Sequence, residues 1–187
     1  MPDIDETIVR HFFELNGFLV RSNVKYELAK GGGESDIDLV VYNLSPNKER
    51  PPADFVLDAN SLPGIEGAIV EVKGWHNDAF TPSTISSFPE VFNFVRPEAL
   101  KAASEFFHGA DFRRILVLSR LSPVEEARNA AIELLKAGEI QHVTEFPTII
   151  HFIAEQVQKK KNYRDSEIMQ TIRLLKIYGM ESETAGG

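Results

Sequence analysis

Cysteine is absent from the chain. That excludes a disulfide framework and a thiolate metal site, and it fits a cytoplasmic protein. Long apolar runs are also missing. Nothing approaches the roughly 18 consecutive apolar residues of a membrane helix, so no membrane partner is expected. Basic residues are outnumbered, with 20 Lys and Arg against 28 Asp and Glu and a formal net charge of −8. A field of that sign excludes a protein that coats nucleic acid nonspecifically, but leaves room for an enzyme with a local basic groove. The N-terminal MPDIDETIV is acidic, unlike a signal or transit peptide. The histidines His11, His108, His142 and His151 have no zinc-ligand spacing, and no internal repeat is visible.

What remains is enough for one sizeable core: 187 residues, 43% hydrophobic. The stretch that organises the rest is AIVEVKGW, Ala68 to Trp75. It reads as a buried strand ended by a glycine. Period two puts Glu71 and Lys73 on one face and Val70 and Val72 on the other. An acid and a base on an apolar strand cost several kcal/mol unless something pairs them. A plain salt bridge would do so, and so would a metal ion with a phosphate. A second such strand, DIDLVVYN from Asp36 to Asn43, carries Asp36 and Asp38. Asp36, at its first position, reads as a bend residue.

The other elements follow from pattern. Residues 3–16 read as an amphipathic helix with Ile4, Ile8, Phe12 and Leu15 inward, widened by Val9 and Phe13. Asp3 is a candidate N-cap, and Glu6 is either its capping-box partner or a residue at the rim of the core. Gly17 is a candidate stop. Phe18–Val24 reads as a strand that Val24–Lys30 continues, and Gly31-Gly32-Gly33 as a bend. Leu44–Gly67, with four prolines, reads as a long excursion, and 76–95 as irregular, with His76 a loop residue and Trp75 a packing residue. Helices are expected at 98–108, 122–137, 147–160 and 166–178, and strands at 114–119 and 140–146. The order α-β-β-β-α-β-α-β-α-α predicts an α/β fold, a central mixed β-sheet flanked by helices. Residues 1–160 form the domain, 161–180 add a C-terminal helix and 181–187 a disordered tail.

Glu6, Asp38 and Glu71-Val72-Lys73, in that order, resemble the PD-(D/E)xK nuclease superfamily, most closely archaeal Holliday-junction resolvases and Mrr-like restriction endonucleases. The helical Glu6 precedes Gly17-Phe18, with Arg21-Ser22 beyond. GGGESDIDLVV then supplies the bend and acidic strand, and IVEVK the E-x-K strand. The likeness spans about residues 3–120. Ile37-Asp38 stands where the family has Pro-Asp, the 44–67 excursion is longer, and the chain is acidic where the resolvases are basic. The resemblance implies a restriction-endonuclease-like core with extra C-terminal helices, and a Mg²⁺-dependent endonuclease acting on DNA, with Mn²⁺ as substitute. The alternative is a catalytically inactive nuclease-fold DNA-binding or assembly module. A third reading is an unrelated α/β protein in which Glu71 and Lys73 are a structural pair.

Phosphodiester hydrolysis needs the phosphate's charge neutralised and a hydroxide in line, which divalent metal supplies. Asp38 and Glu71 could share an ion, the Val72 carbonyl could add a ligand, and Glu6 could bind through water or hold a second ion. Lys73 could orient or help deprotonate the attacking water and stabilise developing charge. DNA contacts would fall to Arg21, Lys25, Lys30, Lys101, Arg113 and Lys159 to Lys161. Ile168, Met169, Ile172, Leu175 and Ile177 on the last helix need a cover, from the domain itself or from a second copy in a homodimer.

Overall fold

The computed structural model describes residues 3–28, 33–49, 51–52, 54–76 and 79–179. Lys30, Gly31, Gly32 and the 181–187 tail lie outside them. The first helix, α1 (Ile4–Leu15), is rotated from the expected facing. Val9, Phe12 and Phe13 are fully buried, whereas Ile4 is 63% exposed and Leu15 37%. Two aromatic rings outweigh two aliphatic side chains in apolar area, so the helix turns to bury the phenylalanines. That turn brings Asp5, four residues before Val9 and seven before Phe12, onto the inward stripe. Asp3 is the N-cap residue but makes no side-chain cap bond, so Glu6 is no capping-box partner. Gly17, with φ of 84°, ends the helix in the left-handed region as expected.

Five strands form one sheet in the order β1 (Phe18–Glu27), β2 (Glu34–Asn43), β3 (Gly67–Lys73), β4 (Arg113–Leu118) and β5 (His142–Glu145). The first three pair antiparallel and the last three parallel, making the sheet mixed. Leu39, Val41, Val70, Val72, Ile115 and Val117 pack on one face, with α1, α5 (Phe146–Gln156) and Met169 of α6 (Glu167–Ile177). Ile37, Val40, Ile69, Leu116 and Leu118 pack on the other. They meet α2 (Pro82–Ser87), a 3-10 helix at Pro89–Val95, α3 (Pro97–Phe106) and α4 (Glu125–Ala137).

Several expectations are corrected. Residues 82–95 are helical rather than irregular: Thr81 caps α2 by accepting from the Thr84 N–H. The helix expected from 122 starts at Glu125, because the Ser122 hydroxyl accepts the Val124 N–H in a turn of its own. The helix expected to run to 160 ends at Gln156. α4 ends at Ala137 as expected, but its C-cap Gly138 has φ of −81°, so space rather than a left-handed turn explains the glycine: an added Cβ would lie 2.1 Å from the Phe92 ring. The long excursion is packed into the fold. Its Leu57, Leu62 and Ile65 are buried, and Val56 bridges Val143 in parallel, which covers the outer edge of β5. Asp36 is a strand residue in register with Lys25, and the two form an exposed ion pair at 3.2 Å.

The C-terminal helix is partly covered by its own domain. Ser166 caps it, accepting from the Met169 N–H at 3.2 Å, and its hydroxyl lies 2.8 Å from His11 Nε2. Lys176 Nζ donates to the Ala154 and Val157 carbonyls at the end of α5. Met169 is buried, while Leu174, Leu175 and Ile177 are about two-fifths exposed. Phe13→Ala should therefore cost about 3–5 kcal/mol in urea unfolding. Leu174→Ala should stay within about 0.5 kcal/mol of wild type. A large loss at Leu174 would mean that its face is covered in solution.

Candidate functional site

The two carboxylate strands are neighbours, and their pairing stops at the residues of interest. The β2–β3 ladder runs from Tyr42↔Gly67 to Leu39↔Val70. The next position would set Asp38 opposite Glu71, but no backbone pair forms there. Instead Asp38 Oδ2 accepts the Val72 N–H at 2.7 Å. A side chain thus replaces the missing main-chain acceptor, satisfying a buried donor as the strands part. On the other side of β2 the ladder also skips Asp38, between Ser22↔Leu39 and Val24↔Ile37. Asn23, which would face it, has φ of 55°. Ile37 and Leu39, two residues apart across Asp38, belong to opposite core layers.

Glu71 and Lys73 share a face of β3, as period two requires. Glu71 is only 6% exposed, and its Oε1 lies 2.6 Å from Lys73 Nζ. Burial, then the neighbouring Asp38, pushes the Glu71 carboxyl up to about 8, against the pull of Lys73. Burial alone would lower the Lys73 ammonium, but the Glu71 carboxylate more than reverses this and keeps it protonated. Asp38 is also raised, by burial, despite its bond from Val72 and the nearby Lys73.

Glu6 completes the group from α1. Its Oε2 is buried and makes no hydrogen bond. Burial, then Asp38, raises its carboxyl to about 7, and Lys73 opposes. Asp38 therefore raises both glutamates, and Lys73 is the cation that all three carboxyls feel. Among the described residues, however, no three Asp, Glu or His side chains form a ready-made metal-binding cluster. The donors are hard oxygens, Asp38 acts electrostatically on both glutamates, and Glu6 Oε2 is orphaned. That suits a hard dication which keeps several of its waters better than a closed protein cage.

Sequence reasoning missed several residues. Asp5 lies against Gly74, and both its oxygens sit 3.1 Å from His76 Nε2. The signal was present in the spacing of Asp5 from Val9 and Phe12, once the phenylalanines set the facing. Glu90 raises Lys73 electrostatically. The Tyr26 hydroxyl, which feels Glu71, donates to the Asn93 carbonyl at 3.3 Å. Trp75 packs as expected, stacked on Phe80 at 5.2 Å. Of the expected basic contacts, Arg21 lies over the Phe106 ring and Lys25 is held by Asp36, while Lys101, Arg113 and Lys159 to Lys161 are exposed. No protein-family model, curated protein or solved structure matches the chain.

The pH dependence of stability follows from the shifts. A carboxyl raised on folding stabilises fully below its unfolded value, and loses that stability as pH rises through its folded value. For Glu6 and Glu71 the window runs from about 4.5 to about 7 and about 8. His142, depressed by burial, acts in the opposite sense over part of that range. The readout is therefore the difference between Glu71→Gln and wild type in metal-free denaturant unfolding. Glu71→Gln should gain relative stability steadily between pH 5 and about 8.5. A difference independent of pH would mean that Glu71 titrates at its ordinary value.

Proposed function

We propose that the protein is a metal-dependent endonuclease that hydrolyses DNA phosphodiester bonds, with Mg²⁺ as cofactor and Mn²⁺ as substitute. The observation that carries this reading is the group of three raised carboxyls around one lysine, where β2 and β3 part. Such frustration is costly in a merely structural position and is common where charge chemistry is done. It also lies on the residues through which the chain resembles the PD-(D/E)xK nucleases.

Asp38 and Glu71 would hold the ion, with the Val72 carbonyl and Glu6 as further oxygen donors. When bound, Mg²⁺ neutralises phosphate charge and supplies a hydroxide near neutral pH. Lys73, kept protonated by Glu71, serves better as an electrostatic stabiliser of charge developing on the phosphate oxygens than as a base. Glu6, raised by burial and by Asp38 when no ion is present, stands to gain from a cation beside it. With a net charge of −8, contact with DNA phosphates falls to local basic side chains such as Lys101, Arg113 and Lys159 to Lys161. A homodimer would suit a two-fold symmetric duplex or junction.

One observation favours the third reading, an unrelated α/β protein in which Glu71 and Lys73 are a structural pair. The two side chains already satisfy each other at 2.6 Å. Calorimetric Mn²⁺ titration beside nicking assays on junction, duplex and single-stranded DNA separates the two. Asp38→Asn and Glu71→Gln should weaken metal binding and abolish cleavage together. Lys73→Ala should keep metal and DNA binding and lose cleavage about a hundredfold or more. Wild type that binds no divalent ion and cuts nothing, or Lys73→Ala that cuts normally, rules out the endonuclease.

A further inference from the structure

We infer that Asp5 is a positioning residue, seated on Gly74 and held by His76, which sets the depth at which α1 delivers the Glu6 carboxylate. The consequence for metal binding rests on the proposed function. The geometric claim does not.

Asp5 immediately precedes Glu6, and Gly74 immediately follows Lys73. An ideal Cβ on Gly74 would lie 1.7 Å from Asp5 Oδ2, 2.6 Å from its Cγ and 3.1 Å from His76 Nε2. Positive-φ glycines are found at 17, 33, 109 and 179, and Gly74 is not among them. The glycine therefore provides space, not an unusual backbone. Any side chain there must push the Asp5 carboxylate off the end of β3. His76 closes the contact from the third side. Its Nε2 lies 3.1 Å from both Asp5 oxygens, so the imidazole bridges the carboxylate symmetrically. The His76 ring meets Phe146 edge-on, with centroids 4.8 Å apart and planes at 82°. Phe146 is a core residue at the start of α5. The first turn of α1 and the end of β3 thus meet at one carboxylate, and His76 links it to the start of α5.

Asp5 itself sits on a well-anchored helix, although its partner His76 is half exposed. The Asp5 side chain is 15% exposed, and α1 is anchored behind it by the fully buried Val9, Phe12 and Phe13. A helix fixed along its length by two phenylalanines still has its first turn to place. Glu6 Oε2 makes no hydrogen bond, so nothing of its own holds that side chain in line. The bond one residue earlier does this instead. Residues that orient a metal ligand from behind typically contribute 10- to 100-fold to metal affinity.

Two measurements test the inference. The first is a metal-free crystal structure of Gly74→Ala beside wild type. The Asp5 carboxylate should be displaced and the Glu6 carboxylate withdrawn from Asp38. If Asp5 alone moves and Glu6 stays in place, the inference is overturned, whatever the protein's activity. The second is Mn²⁺ calorimetry with metal-free thermal melting on full-length variants. Asp5→Ala should weaken Mn²⁺ binding about tenfold or more. Asp5→Asn, whose amide oxygen can still accept from His76 over Gly74, should bind within about twofold of wild type. Equal weakening in both variants would make the Asp5 charge, not its position, the active property, and would overturn the inference. So would wild-type affinity in Asp5→Ala. If wild type itself binds no Mn²⁺, the metal-site reading fails, and the crystal structures still decide whether Asp5 positions Glu6.

Discussion

The structure turns on the point where β2 and β3 stop pairing. Beyond Leu39↔Val70 the backbone ladder ends, and the Asp38 carboxylate takes over as acceptor for the Val72 N–H. Everything near the site follows from that substitution of side chain for main chain. It draws Asp38 against Glu71 and leaves Glu71 almost wholly buried. The remaining charge then has to be balanced by one ammonium, Lys73. A sheet that only needed to be stable would continue the ladder with apolar pairs, which at buried positions are often as stabilising as a charge pair or more so.

The same constraint explains the surroundings. α1 is turned so that its phenylalanines fill the layer beneath Leu39 and Val70. That turn places Glu6 at the rim of the carboxyl group and Asp5 over the glycine that ends β3. The helical segment 82–95, with α3, closes the opposite layer. It brings Glu90 and the Asn93 carbonyl to the Lys73 and Tyr26 side of the sheet. Asp38, which raises both Glu6 and Glu71, is the electrostatic centre of the arrangement. A hard cation would relieve the charge that Lys73 balances alone among the described lysines in these interactions.

Much of the sheet was legible in the sequence because its strands are short β-branched runs bounded by glycine, proline or asparagine. Glu71 and Lys73 could be placed on one face by period two alone. That β2 and β3 are neighbours follows from their register, which stops one residue short of Asp38 and Glu71. The facing of α1 was not legible. Six apolar positions fit more than one rotation, and the choice depends on ring volume against a sheet whose shape the helix sequence does not contain. Asp5 was missed for that reason. The cover that Leu57, Leu62 and Ile65 give the sheet was hidden by a proline-rich segment that reads as loop. Gly138 does end α4, but sequence cannot distinguish a glycine chosen for backbone conformation from one chosen to admit a ring.

The central claim is that this frustrated carboxyl group is a cation site. Its most direct test is anomalous diffraction from a crystal soaked in Mn²⁺ near neutral pH. The account predicts one dominant anomalous peak in direct contact with carboxylate oxygens of Asp38 and Glu71, at roughly 2.0–2.3 Å as for hard cations with oxygen ligands. Glu6 should be turned toward it, directly or through a water. A fully occupied crystal with no peak there, and Lys73 still bonded to Glu71, would contradict the claim and leave the two as a structural pair.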